Sequence, residues 1–115
     1  MSQPLAAVYV RVATEDGDNL IQQENQVCRY ARRHDLKIVR VYRDVGSGLD
    51  DERPGLTQML ADAKDGQFDV LVMRDPARLF RDWTLFWECC DVLRLAHGVG
   101  IVFTILEIGA EGGAA

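Results

Sequence analysis

The segment Phe-Asp-Val-Leu-Val-Met at residues 68–73 is a short, nearly continuous apolar run. A run of this kind is typical of a parallel strand that is buried on both faces of a sheet. It lies between two helical patterns: one begins at Pro54 and ends at Gly66, and a longer one runs from Trp83 to about Ala96 and stops at Gly98. A buried strand between two helices predicts an α/β fold.

The rest of the chain continues this alternation. Strands are predicted at residues 7–12, 37–42 and 100–106, and a helix that Asp18 or Asn19 caps is predicted through Tyr30. The order β-α-β-α-β-α-β predicts a three-layer α/β fold with a mainly parallel, four- to five-stranded sheet and helices on both faces. We expect one domain at residues 1–108 and a flexible tail of small residues at 109–115.

Composition excludes several classes of protein. The 115 residues suffice for one domain, and a content of 48% hydrophobic and 27% charged residues argues against a disordered or fibrous chain. The net charge of −5 argues against binding nucleic acid through bulk charge alone. No apolar run is long enough to span a bilayer, and no secretory signal or metal-ligand spacing is visible. We therefore expect a cytoplasmic protein with reduced cysteines, without a metal, a cofactor or a membrane partner.

Arginines follow three of the predicted strands. They are Arg11 at the end of the first, Arg53 after the loop that follows the second, and Arg78 and Arg81 after the third. Because the carboxyl ends of parallel strands share one edge, these guanidiniums are predicted to converge there. Such a cluster would bind a phosphate. The alternative is surface ion pairing with the nearby acids, which are Asp44, Asp50, Asp51, Glu52, Asp75 and Asp82.

The same loops carry motifs that resemble the catalytic domain of serine recombinases, the resolvases and invertases. The motifs are Tyr-x-Arg-Val-x-Thr at residues 9–14, a glutamine-rich first helix, Asp-x-x-Ser-Gly at 44–48 before Arg-Pro-x-Leu at 53–56, and Arg-Leu-x-Arg-Asp at 78–82. The resemblance covers residues 7–106. It implies strand exchange in DNA, in which a serine hydroxyl attacks a phosphate without a metal or cofactor.

The resemblance also assigns site residues. Its active-site positions fall on Arg11, Gln23, Ser47 (a serine that is not the nucleophile), Arg53, Arg78 and Arg81. Two positions depart from the family pattern: the nucleophilic serine falls on Ala13, and an aspartate of the third motif falls on Ala77. Since a methyl group cannot attack phosphorus, the pattern predicts a catalytically silent domain that keeps a phosphate-binding arginine cluster. Thr14 is a disfavoured substitute nucleophile, since neighbouring side chains of an extended chain point to opposite faces.

Two other interpretations stay open. The chain could be a disarmed fragment of an active recombinase, because family members continue into a long helix and a DNA-binding domain, and this sequence shows no motif for specific DNA recognition. It could instead be a regulatory module that binds protein and no longer DNA. The predicted helix that begins with Trp83, Phe86 and Trp87 is apolar nearly all round, so it could form a homodimer or bind a recombinase partner.

Overall fold

A computed structural model of the chain describes residues 3–13, 17–46 and 53–105. In these ranges four strands form one sheet: β1 (Leu5–Val12), β2 (Lys37–Val45), β3 (Val70–Met73) and β4 (Gly100–Phe103). The helices between them are α1 (Gly17–Arg33), α2 (Pro54–Lys64) and α3 (Trp83–Asp91). The sheet order is β2-β1-β3-β4 and every pairing is parallel, which confirms the predicted α/β fold with four strands.

The two faces of the sheet carry separate apolar cores. On one face α1 packs through Val27 and Cys28 against Val8, Val10 and neighbouring residues. On the other face α2 and α3 pack against the alternate residues of the strands, and this larger core contains Ala7, Tyr9, Tyr42, Leu56, Met59, Leu71, Met73, Phe86 and Leu93. Alternation along β1 therefore places Arg11 on the same face as Tyr9, toward α2 and α3.

Several predicted boundaries were wrong. The first helix spans Gly17–Arg33, so it begins before Asp18 and Asn19, which were predicted to cap it, and ends after Tyr30; the second strand continues past Tyr42 to Val45. The third strand begins at Val70 and not at Phe68, although Phe68 is buried in the core. The last strand ends at Phe103, because Thr104 and Ile105 adopt helical geometry; Leu106 lies outside the described residues. The long third helix ends as an α-helix at Asp91 and continues to Ala96 as a wider π-helical turn. The predicted tail at 109–115 also lies outside the described residues.

A short 3₁₀ turn at Pro76–Arg78 follows β3, in a segment that was predicted to be a loop. Asp75 caps it, since a carboxylate oxygen of Asp75 accepts the amide hydrogen of Ala77 at 3.0 Å. Asp82 caps α3, accepting from the amides of Thr84 and Leu85. In the described ranges no helix combines the length and apolar character that a membrane crossing requires.

Candidate functional site

The backbone at the end of β1 is held by a side chain from α1. The Gln23 amide accepts from the Arg11 N–H and donates to the Arg11 carbonyl, each at 3.1 Å. β3 pairs with β1 only along Ala6–Val8, so the Gln23 amide takes the place of a neighbouring strand farther along β1. Gln23 is 4% exposed, and its role in this structure is to fix the backbone of Arg11.

The Arg11 guanidinium lies inside the protein and donates to backbone carbonyls. Its Nε donates to the carbonyl of Arg78 at 3.0 Å, one Nη to the carbonyl of Ala77 at 2.6 Å, and the other Nη to the carbonyl of Gly46. Burial is the main cause that lowers the pKa of Arg11, and the positive charge of Arg53 adds to it. Arg78 and Arg81 lower the pKa of Arg11 further, so the charges of all three other arginines act on Arg11.

Arg53 approaches the same turn from the start of α2. Its guanidinium donates to the carbonyl of Leu79 and, at 2.6 Å, to the carbonyl of Arg78. It also donates to the Tyr9 hydroxyl at 2.8 Å from one Nη and at 3.2 Å from Nε. The Phe80 ring lies 5.1 Å from the guanidinium carbon, within cation–π range.

Tyr9 connects Arg53 to a buried carboxylate. The Tyr9 hydroxyl donates to Asp44 at 2.7 Å, and Asp44 also accepts from the amides of Gly55 and Leu56, each at 2.8 Å. Burial, followed by the hydrogen bond to Asp44, raises the pKa of Tyr9 far above its ordinary value. Tyr9 and Asp44 begin two of the motifs quoted from the sequence, but the sequence reasoning did not assign either of them as a site residue.

Arg78 and Arg81 lie on the outer side of the turn. Arg78 donates to the carbonyl of Arg11 at 2.9 Å and to Asp75 at 3.3 Å, and its side chain is partly exposed. Arg81 is exposed and makes no hydrogen bond or ion pair with another described residue. We name the four arginines Arg11, Arg53, Arg78 and Arg81 the arginine edge.

The alternative interpretation of the arginines, that they form surface ion pairs with nearby acids, fits Arg78 among the described residues of the arginine edge. Among the described residues, Asp75 contacts Arg78, whereas Asp44 reaches Arg53 only through Tyr9 and Asp82 serves as a helix cap. Asp50, Asp51 and Glu52 lie outside the described residues. In the described part of the chain, Arg11 and Arg53 thus have carbonyl and hydroxyl partners and no direct carboxylate partner.

Both alanine positions are exposed. Ala13 follows β1 directly at a bend, and Ala77 lies in the 3₁₀ turn, where its carbonyl accepts from Arg11. Asp75, two residues before Ala77, is committed to capping this turn and to Arg78. Ser47 and Thr14, the two hydroxyl residues singled out by the sequence, lie outside the described residues.

Comparisons with known proteins identify the family. Residues 6–111 match the sequence model described as "Resolvase, N terminal domain". The C-terminal catalytic domain of ISC1926 TnpA, an IS607-like serine recombinase, is 31% identical, with a TM-score of 0.79, covering 87% of this chain and 69% of that chain.

Two more distant structures share the fold. The N-terminal catalytic domain of TP901-1 integrase is 23% identical with a TM-score of 0.78, over 86% of this chain and 75% of that one. A resolvase family site-specific recombinase from Streptococcus pneumoniae is 20% identical with a TM-score of 0.76, over 88% and 72%. The chain therefore belongs to the resolvase N-terminal domain family, the serine recombinase catalytic domains of site-specific recombination.

Proposed function

We propose that this domain binds the phosphate backbone of DNA at the arginine edge and does not cut it. The observation that carries the proposal is the convergence of Arg11, Arg53 and Arg78 on one turn, with a single described carboxylate, Asp75, in direct contact with them. Like charges repel, so this arrangement is stabilised when an anion binds beside it. In a family that acts on DNA, a backbone phosphate is the anion that fits.

The absence of cutting follows from Ala13. Covalent cleavage of DNA by this family needs a hydroxyl at that position, and alanine offers no atom that attacks phosphorus. Ala77 removes a second polar group, and Asp75 does not replace it because its oxygens already accept from Ala77 and Arg78. The arginine edge thereby keeps the charge for binding and lacks the group for chemistry.

Binding is tested by fluorescence anisotropy with a short labelled duplex at low salt. We expect reversible, salt-sensitive binding, because each phosphate contact releases counterions and contributes about 0.9 to the slope of log K against log salt. The matched control is the same duplex with neutral methylphosphonate linkages, which should not bind. Binding of both duplexes alike, or of neither, would contradict the proposal.

A second candidate function, interaction with protein, rests on the outer surface of α3. Trp83 is 61% and Trp87 is 55% exposed, and Leu85, Val92 and Leu95 are exposed on the same helical stretch. Apolar groups of this size are seldom exposed together on a monomer. This arrangement supports a homodimer, or a complex with a recombinase partner, formed through the helix that starts at Trp83. The domain could use this surface to bind protein and the arginine edge to bind DNA at the same time.

Light scattering tests this second candidate. We expect the wild-type domain to associate at high concentration and the double variant W83S/W87S to stay monomeric with an unchanged circular dichroism spectrum. Duplex binding that survives in the monomeric variant would show that the two surfaces work independently. If the wild-type domain stays monomeric at all concentrations, the homodimer is excluded. If a column that carries the domain does not retain an active recombinase, the complex with a recombinase partner is excluded.

A further inference from the structure

The outward surface of α1 carries a basic cluster that is separate from the arginine edge. Val27 and Ala31 are fully buried on the side of α1 that faces the sheet. Because the helix has about 3.6 residues per turn, its opposite side presents a different set of residues to solvent. Four of these exposed residues line one open cleft of about 440 Å³. We name them the α1 basic face: Asn25, Arg29, Arg32 and Arg33.

This face offers hydrogen-bond donors and contains no carboxylate. Residues 25–37 include four lysine or arginine side chains and one acid, Asp35, in a chain whose net charge is −5. Asp35 lies in the turn after α1, and Glu24, the nearest carboxylate within the helix, accepts from Arg43 at 2.9 Å. Among the described residues, Arg29 and Arg32 form no hydrogen bond or ion pair, so both guanidiniums are available to an anion.

The end of the helix explains only part of this charge. Arg32 and Arg33 lie in the last turn of α1, where positive side chains interact favourably with the carbonyl end of the helix. Arg29 lies one turn earlier, and this favourable interaction falls off within the last turn. The positive charge therefore extends farther along α1 than the end of the helix requires.

The length of the α1 basic face fits the backbone of a nucleic acid. The helix rises by about 1.5 Å per residue, so Asn25 and Arg33 are about 12 Å apart along its axis. Successive phosphates of one DNA strand are about 3.4 Å apart along the duplex axis, so about three of them span this length. Arginine can bond a phosphate through two parallel hydrogen bonds, whereas lysine acts as a point charge. A row of phosphates therefore fits this face better than one small anion does.

The α1 basic face and the arginine edge lie in different parts of the fold. The first half of α1 reaches the arginine edge, where Gln23 bonds the backbone of Arg11, and α1 ends near the start of β2, at the opposite edge of the sheet. α1 also covers the face of the sheet opposite to α2 and α3. Because a short duplex is costly to bend, one duplex does not lie on both surfaces.

We infer that the α1 basic face is a second binding site for the phosphate backbone, and that one domain thereby bridges two DNA duplexes. Binding at the α1 basic face goes beyond the proposed function and does not depend on it. Bridging rests on the proposed function, because the other duplex lies at the arginine edge.

Two double variants separate the surfaces in the anisotropy titration. R78Q/R81Q removes charge from the arginine edge and leaves the α1 basic face, whereas R29Q/R32Q does the reverse. We expect both to bind duplex. For R78Q/R81Q, log K should fall against log salt with a slope of about 1.8, because Arg29 and Arg32 each contact one phosphate. If R78Q/R81Q binds no duplex, the inference fails; if R29Q/R32Q binds none, the proposed function fails.

The fourfold variant that combines these changes is the control for residual contacts. It should bind no duplex. Binding by the fourfold variant as strong as that of R78Q/R81Q would show that the DNA lies elsewhere, and it would overturn the inference. A circular dichroism spectrum equal to that of the wild type shows that each variant is folded.

Energy transfer between two labelled duplexes measures bridging. The W83S/W87S background is used, since it excludes bridging by a dimer formed through α3. We expect a donor-labelled and an acceptor-labelled duplex to come together at a limiting amount of the domain. They should separate again when the domain is in excess, because each duplex then occupies its own domains. Absence of transfer in a background protein that binds single duplexes would overturn bridging.

Charge-matched variants in this background locate the second duplex. R29Q/R32Q should abolish the energy transfer. K64Q/R94Q removes two positive charges at exposed positions on the other face of the sheet, so it should keep the transfer. Transfer that persists in R29Q/R32Q, or that is lost equally in K64Q/R94Q, would overturn the assignment of the α1 basic face.

A flexible acidic polymer tests the kind of partner. Poly-glutamate added to the complex of R78Q/R81Q with duplex should displace little of the DNA, since its backbone must be ordered on binding. Displacement by poly-glutamate at the same concentration of charge as the duplex would assign the α1 basic face to an acidic protein, and it would overturn the inference.

Discussion

At the scale of single residues, the Tyr9 hydroxyl is the central polar atom of the site. It donates to Asp44 and accepts from Arg53, and it thereby separates a buried carboxylate from a buried guanidinium by one shared oxygen. Buried charged groups are tolerated when each has hydrogen-bond partners, and they are costly when a partner is removed. The Tyr9 hydroxyl is thus important for the stability of the site, because both Asp44 and Arg53 depend on it as a hydrogen-bond partner.

Y9F should lower the free energy of unfolding by about 2–3 kcal/mol, because both Asp44 and Arg53 lose a partner inside the protein. Y42F is the matched control: the Tyr42 hydroxyl donates to Asp62 near the surface, so its loss should cost about 1 kcal/mol or less. Urea unfolding measures both variants. Equal losses would contradict the special role of Tyr9.

The sequence predicted that arginines gather at one edge, but it did not predict that Arg11 and Arg53 donate hydrogen bonds to backbone carbonyls there. The alternation of strands and helices is a local pattern, and because Arg11, Arg53 and Arg78 come at or after the carboxyl ends of parallel strands, it places them at the same edge. The partners of Arg11 include carbonyls of Ala77 and Arg78, more than sixty residues away, and no side-chain pattern encodes where a carbonyl points. The burial of Arg11 and Arg53 could therefore not be derived from their spacing.

At the scale of elements, the start of α2 depends on a residue of β2. The N-cap position of α2 is Arg53, whose side chain makes no capping hydrogen bond. The carboxylate of Asp44 caps the helix instead, through the amides of Gly55 and Leu56. This cap requires α2 to approach β2 closely, and Gly55 permits it: a Cβ there would lie 2.8 Å from the carbonyl oxygen of Arg43 and 3.0 Å from Asp44.

G55A should lower the free energy of unfolding by about 1–3 kcal/mol, since the neighbouring atoms belong to backbone and to a fixed carboxylate and cannot yield cheaply. The control is G100A in β4, where an added Cβ would meet ordinary contacts at 3.9 and 4.0 Å. We expect G100A to stay within about 0.5 kcal/mol of wild type. Thermal and urea unfolding give both values, and a neutral G55A would contradict the close approach.

Element types were predictable because each strand and helix carries its own periodicity. The residues at which elements end were harder to predict. The strand β4 ends at Phe103 although the apolar pattern continues through Leu106, because Ile105 donates its amide to the carbonyl of Arg74 instead of extending the sheet. The cap of α2 by Asp44 could not be predicted from the sequence either, because it joins residues of two different elements.

At the scale of the whole molecule, groups that must stay protonated are distributed through the fold. Burial raises the pKa of Tyr9 and Tyr42, in each case with help from a hydrogen bond to a carboxylate, and burial raises the pKa of Cys89 to about 11. A group with a raised pKa stabilises the folded state fully below its unfolded pKa, and this contribution is lost as the pH rises toward the folded value.

The domain should therefore lose stability in alkali. The loss should begin above pH 9, the ordinary value for cysteine, and steepen above pH 10, the ordinary value for tyrosine. The urea midpoint measured from pH 8 to about pH 11 checks this, and Y9F should show a shallower decline because one of the contributing groups is gone. A midpoint that stays level or rises across this range would rule out the assigned burial of these groups.

The central claim is the proposal that the whole domain binds DNA through phosphate contacts and, with Ala13 at the position of the nucleophile, does not break the strand. The direct test mixes the domain with supercoiled plasmid at low salt, divides the sample, and analyses one half natively and the other after detergent and heat. The account predicts a native complex that detergent dissolves completely, leaving the plasmid supercoiled. Nicked plasmid, or protein that remains covalently attached through Thr14, Ser47 or any other residue, would contradict it.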